Sequence, residues 1–230
     1  IHEGEFVLII AIDGPAAAGK GTLAVSISKH FDFAYLDTGL LYRAIGREVL
    51  DSGKDPEDER SIKMIMKSLK LKNLNSTGLR TEAVSQAASK LSAFPDVRRE
   101  LLNLQRNFAN SPPNKKRGAV LDGRDIGTVV CPNAQIKLFI TASLEVRAIR
   151  RLKELQNRGT KAIYARVLEE MIERDNRDQS REIAPLEPAI DSYVIDTSNV
   201  NKNEVFEKAL VLINSASEKL KQTKKTYKKI

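Results

Sequence analysis

The run Gly14-Pro15-Ala16-Ala17-Ala18-Gly19-Lys20-Gly21-Thr22 brings together glycines, one lysine and one hydroxyl group. Glycines let backbone N–H groups converge on phosphate oxygens, and the start of a helix adds partial positive charge. Lys20 then reaches the β and γ phosphates, and the Thr22 hydroxyl suits Mg²⁺. All nine residues are expected around the phosphates of ATP or GTP, with Mg²⁺ as the cofactor. A plain strand-to-helix turn needs a glycine or two, but not the Gly-Lys-Gly-Thr string.

Phosphoryl transfer needs positive charge around the moving group more than covalent help. Arg147 and Arg151 lie at i and i+4 of one helix face, with Arg150 beside them; they are candidates for the ATP side, and a solvated face is the bland alternative. Arg174, Arg177 and Arg181 cluster more densely than surface decoration requires, and forked guanidinium groups suit phosphate oxygens. Asp122 ends an apolar run ahead of Gly123-Arg124-Asp125, where a parallel sheet presents a ligand to Mg²⁺ through water; the alternative is a turn cap. Asp37-Thr38-Gly39 with Tyr42-Arg43 offers an N-cap hydroxyl at Thr38 and an arginine one turn in, a grip for an acceptor's phosphate. The candidate catalytic cations are Lys20, Arg124, Arg151, Arg174 and Arg177.

These residues need a rigid frame, and the order of elements supplies one. Phe6 to Ile12, Phe33 to Leu36, Ala119 to Leu121, Ile136 to Ile140 and Tyr193 to Ile195 read as short buried strands separated by helical spacing, the first helix running from Thr22 to His30. That alternation predicts an α/β fold whose parallel sheet is covered on both faces. Residues 55–110 carry helical patterns without a convincing strand, up to the breaker Ser111-Pro112-Pro113-Asn114. Residues 154–178 read as a polar helical hairpin, with Gly159-Thr160 as its helix start.

The chain has 230 residues, 41% of them hydrophobic and 30% charged, enough for one packed domain. Cys131 is the single cysteine, so no internal disulfide forms; a cytoplasmic location is the expectation. No apolar run is long enough to span a membrane. The net charge is +8, but Lys219 to Ile230 holds six lysines and no acid. That tail reads as a solvated end, and without interleaved aromatics a nucleic-acid partner is disfavoured.

The residues resemble the bacterial cytidylate kinase family. The matching strings are Ile12-Asp13-Gly14-Pro15 with Gly19-Lys20-Gly21-Thr22, Leu36-Asp37-Thr38-Gly39 with Tyr42-Arg43, and Ala87-Ala88-Ser89 with Ala93-Phe94-Pro95 and Val97-Arg98. Further along come Asp122 to Val130, Glu173-Arg174-Asp175 with Arg177-Asp178, and Ala184-Pro185-Leu186. The Gly-Lys-Gly-Thr form is itself typical of adenylate-kinase-like monophosphate kinases. The resemblance implies a P-loop nucleoside monophosphate kinase: five parallel strands in order 2-3-1-4-5 with helices on both faces. The single domain divides into a core (1–54, 111–153 and 179–230), a monophosphate-binding insert (55–110) and a mobile lid (154–178). The implied reaction moves the γ-phosphoryl group of ATP to CMP or dCMP. By the same resemblance, Ser89, Arg98 and Asp125 hold cytosine, Arg174 and Asp178 the ribose, and Arg43, Arg124 and Arg181 the CMP phosphate. The chemistry agrees, since a carboxylate facing N4 and an arginine facing N3 and O2 separate cytosine from uracil.

One stretch departs from the family: Leu69 to Thr81 is shorter than in long-form members, so the small antiparallel sheet found there is expected to be reduced or missing. The alternatives are the same architecture with UMP or AMP as acceptor, opposed only by the base contacts, and a P-loop protein acting on nucleic acid. A monomer is expected.

Overall fold

The structure, a computed structural model, describes residues 7–68 and 77–227. The apolar runs become β1 (Leu8–Asp13), β2 (Ala34–Asp37), β3 (Gly118–Asp122), β4 (Ile136–Thr141) and β5 (Tyr193–Asp196). They form one sheet of order β2-β3-β1-β4-β5, with all four neighbouring pairs parallel. β3 is buried at every residue, which is why it reads as a continuous apolar run rather than an alternating one. Ile12 and Asp37 both lie in register with Asp122, so the carboxyl ends of β1, β2 and β3 share one edge.

Among the described residues, eight α-helices join them: α1 (Lys20–His30), α2 (Thr38–Asp51), α3 (Glu59–Ser68), α4 (Glu82–Leu91), α5 (Pro95–Asn110), α6 (Leu144–Asn157), α7 (Tyr164–Ser180) and α8 (Lys202–Tyr227). On one sheet face, Leu23 and Ile27 of α1 and Ala209 and Ile213 of α8 pack with Ile10, Ile12 and Leu138. On the other, Leu41 and Ile45 of α2, Leu91 of α4 and Leu101 of α5 pack with Ala11 and Leu121. Each isoleucine or leucine so buried contributes about 1.5–3 kcal/mol. A third cluster, Ala148, Leu155, Val167 and Met171, joins α6 to α7 and touches Ala16 and Ala17. Among the described residues, no helix is long and apolar enough to cross a membrane.

Three local expectations are corrected. α1 starts at Lys20, ahead of Thr22, because Gly19 at φ +98° turns the chain straight into the helix. Gly159 ends α6 instead of starting a helix. Its φ is +78°, its N–H donates to Gln156 O at 2.9 Å, and the N–H of Thr160 donates to Leu155 O at 3.0 Å. That pattern closes a helix C-terminus, and α7 begins only at Tyr164. Thr38 is no N-cap: it is the first residue of α2, and its hydroxyl donates to Asp122 O at 2.7 Å, pinning α2 to the end of β3. Residues 69–76 of the shortened stretch lie outside the described residues; Thr77–Arg80 forms a 3₁₀ turn. Phe6 and the side chains of the lysine tail from Lys219 also lie outside them.

Candidate active site

The shared sheet edge opens into a cleft of about 1010 Å³. Its floor is the loop between β1 and α1. Gly14 permits this loop: its φ is +141°, and a Cβ there would stand 1.9 Å from Ile140 O, so the chain passes too close to β4 for a side chain. Gly21 has a different reason, since a Cβ on it would approach Asp122 Oδ2 to 3.3 Å and Tyr35 Oη to 3.8 Å. The position stays bare beside a carboxylate that Tyr35 holds by a 3.0 Å hydrogen bond.

Lys20 is buried, with Nζ donating to Pro15 O at 2.8 Å, so it does not project from an exposed loop. Burial, then repulsion from Arg124, pushes its ammonium down to about 7. Asp122 is pushed the opposite way, up to about 6, by burial and by Asp37. Asp13 lies beneath the loop: its carboxylate accepts the N–H groups of Ile126 at 2.8 Å and Gly127 at 2.7 Å. It thereby holds Ile126–Val130, a single wide π-type turn, directly behind Arg124 and Asp125.

Two walls face this floor. From α4 and α5 come Ser89 and Arg98, and Arg98 forms a buried ion pair with Asp125. From α7 come Arg174 and Asp178, followed by Arg181. Asp178 accepts Arg124 Nε at 2.9 Å and Ser89 Oγ at 3.2 Å, and Arg174 Nε stands 3.9 Å from it. Surrounding guanidinium groups hold Asp178 below the usual carboxylate range despite its burial. Arg181 Nη1 donates to Ser92 Oγ at 2.9 Å.

Among the described residues, several guanidinium donors in this cleft have no hydrogen-bond partner, although Arg43 Nη1 stands 3.7 Å from Asp37 and Arg174 Nε 3.9 Å from Asp178. Arg43 Nη1, Arg174 Nε, and Arg181 Nε and Nη2 are buried without a hydrogen bond. Arg43, Arg174 and Arg181 are all depressed, first by burial, and Arg174 falls to about 10, with Arg124 as its next cause. Unpaired buried N–H groups on mutually repelling cations are costly in isolation and become favourable around an anion.

Thr22, Thr38, Tyr42, Arg43, Ser89, Arg98, Arg124, Asp125 and Arg151 from the sequence-based candidates all line the cleft. Two arginines do not reach it. Arg147 is buried behind the loop, donating to Ala142 O at 3.0 Å and to Ala16 O of the loop at 3.5 Å and pairing with Asp175 at 2.7 Å, so it ties the loop to α7. Arg177 turns to α4, where it meets Gln86 and Ser89. Spacing alone missed Tyr35, Arg80 and Glu82, which also line the cleft. Only Glu82 carries a sequence signal: Thr81 caps α4 by accepting Val84 N–H at 3.3 Å, and an acid in the first turn follows such a cap.

A phosphate loop at the switch point of a 2-3-1-4-5 parallel sheet, under walls of unpaired guanidinium donors, defines a P-loop kinase. A solved structure of an uncharacterized protein from Eubacterium ventriosum shares this fold. It aligns over 90% of this chain and 99% of that one, with a TM-score of 0.54 and 14% identity. The family model for cytidylate kinase matches residues 10–215. The cytidylate kinase of Paramagnetospirillum magneticum is 55% identical over 207 residues, covering 90% of this chain and 98% of that protein. That of Methylocella silvestris is 50% identical over 214 residues, covering 93% and 97%. The chain belongs to the cytidylate kinase family.

Proposed function

We propose that this protein transfers the γ-phosphoryl group of ATP to CMP or dCMP, giving ADP and CDP or dCDP. The observation that carries the reading is the set of unpaired donors on Arg43, Arg174 and Arg181 beside the phosphate loop. A cleft that gathers phosphate-seeking donors from α2 and from α7 with its C-cap, beside the phosphate loop, suits two nucleotides meeting end to end.

In this reading Gly14 to Thr22 hold the ATP phosphates, and Lys20, Arg124, Arg151 and Arg174 neutralise charge as a CMP phosphate oxygen bonds to the γ-phosphorus and the ADP oxygen leaves. Arg43, Arg124 and Arg181 grip the acceptor phosphate, Thr38 and Tyr42 line its berth, and Arg174 and Asp178 reach the ribose. Ser89, Arg98 and Asp125 read the cytosine edge. Arg147 and Arg177 serve at one remove, holding the loop and α7 in place. Mg²⁺ would be held by the Thr22 hydroxyl and, through water, by Asp122, whose buried carboxylate accepts one neutral hydrogen bond among the described residues, from Tyr35 on Oδ2. When bound it supplies charge neutralisation across the β and γ phosphates.

The test is ATP-dependent phosphorylation across CMP, dCMP, UMP, AMP and GMP. CMP and dCMP should turn over best, with one ADP formed per acceptor consumed. Equal or faster turnover of UMP or AMP would replace this reading with a kinase of the same architecture and another acceptor.

A further inference from the structure

α4 turns Glu82, Gln86 and Ser89 to one side, at the i, i+4 and i+7 spacing of a single helical face. Each meets a group from across the cleft. Glu82 Oε2 accepts Nε and Nη2 of Arg151 on α6, at 3.2 and 2.5 Å. Its other oxygen accepts Gln86 Nε2 at 3.0 Å. Gln86 Oε1 in turn accepts Arg177 Nη2, and Ser89 Oγ accepts Arg177 Nε at 3.4 Å before donating to Asp178. One chain of hydrogen bonds therefore runs along α4 from Arg151 to the Asp178–Arg124 pair.

Arg151 is the member of this chain that faces the cleft from α6, and a free arginine side chain there would sample many rotamers. Glu154, one turn along its own helix, takes Nη1 at 2.9 Å. That contact alone leaves the fork free to swing with α6. Glu82 fixes the fork from the opposite wall, and Gln86 fixes Glu82. The pair is not surface decoration, since the Arg151 and Glu82 side chains are only 13% and 26% exposed. Each terminal guanidinium nitrogen carries two N–H groups, so hydrogens remain on Arg151 for a phosphate oxygen.

We propose that Glu82 is a positioning residue for phosphoryl transfer, braced by Gln86: it aims Arg151 from the acceptor-side helix, so docking of α4 sets a cation on the donor side. This rests on the phosphotransfer reading above. Turnover of CMP by the unaltered protein tests that reading by itself, whereas comparison among variants tests this one.

The experiment is a double-mutant cycle. Glu82→Gln keeps shape and removes charge, and should lower kcat about tenfold, the scale of one charge-assisted hydrogen bond. KM for CMP should stay within about twofold if Glu82 acts through Arg151 and not on the acceptor. In an Arg151→Ala background the same change should have no further effect, and Glu82→Asp should recover part of the loss. Should Glu82→Gln melt early, Gln86→Leu is read in its place, with a smaller drop in kcat that also vanishes without Arg151. Equal losses with and without Arg151, or a fall confined to KM, would overturn the proposal. So would faster turnover of Glu82→Gln, since that would make Glu82 a competitor of ATP for Arg151.

Discussion

At the scale of single residues, the site is built from groups that are uncomfortable until an anion arrives. Lys20 is the sharpest case. Its ammonium is buried and depressed to about 7, so it costs folding stability and is retained for another purpose. Lys20→Ala should lower kcat at least about a hundredfold while leaving Tm unchanged or higher. Steady-state rates beside a thermal melt check both halves, and near-normal turnover in the folded variant would remove Lys20 from the site. Asp125 makes a subtler case, because its partner is Arg98 and not the adjacent Arg124, which pairs with Asp178. Asp125→Ala would strand a buried guanidinium, a change that costs about 3–5 kcal/mol and confuses fold with specificity. Asp125→Asn keeps the volume. If Asp125 reads the cytosine amino group, the CMP to UMP ratio in kcat/KM should fall at least about tenfold, one factor per 1.4 kcal/mol. An unchanged ratio would leave Asp125 as the anchor of Arg98 alone.

At the scale of elements, α6 and α7 differ from the rest. The buried apolar residues joining them are Ala148, Leu155, Val167 and Met171, while the helices on the sheet sink many isoleucines and leucines into two larger clusters. Their remaining hold on α4 and the 3₁₀ turn before it is polar: Arg151 to Glu82, Arg177 to Gln86, and Arg158 Nη1 to Arg80 O of the turn at 2.8 Å. A unit with a small core and polar latches opens at lower free energy than the sheet beneath it. Residues 154–178 should therefore exchange amide hydrogens faster than β1 and β3, and slow when ATP and CMP analogues bridge the cleft. Hydrogen exchange with and without a bisubstrate analogue measures this, and identical protection in both samples would show that the pair does not act as a lid.

The whole molecule carries a pH dependence of stability whose sign follows from Asp13. Burial raises this carboxyl from 3.8 to about 7, against the two backbone N–H groups it accepts. The folded state thus binds a proton between pH 4 and 7 that the unfolded chain has released. Stability from this group is full below about pH 4 and is lost as pH rises through 7. Tm without nucleotides should therefore fall between pH 5 and pH 7.5, opposite to the usual trend of ion-paired carboxylates. Asp13→Asn should make that limb shallower and end it near pH 6, because an amide has no proton to lose and only Asp122, raised to about 6, then titrates with the same sign. Calorimetry at pH 5, 6, 7 and 8 tests it, and a Tm that rises over this range in both proteins would contradict the burial-dominated sign.

How much of this was legible beforehand follows from the range of the interactions concerned. The strands, the phosphate loop and most cleft residues could be read in one dimension: apolar runs bury wherever they fall in a parallel sheet, and the loop's work is done by contiguous backbone. Helix ends were less legible, as Gly159 illustrates, since the same residue marks a stop or a start according to the backbone angle it adopts. What only the tertiary structure decided is which cation faces which partner. Arg147, Arg151, Arg174 and Arg177 are equivalent in the sequence, all arginines at helical spacing. Folding sends Arg147 behind the loop and Arg177 onto α4, and leaves Arg151 and Arg174 facing the cleft. Glu82 acquires its place in the same way, across 69 residues of chain from Arg151. The sequence by itself determined the sheet, the loop and the supply of charge. The pairing of those charges depended on the packing of α4 against α6 and α7, because a charged side chain takes its role from the neighbour that folding sets within hydrogen-bond reach.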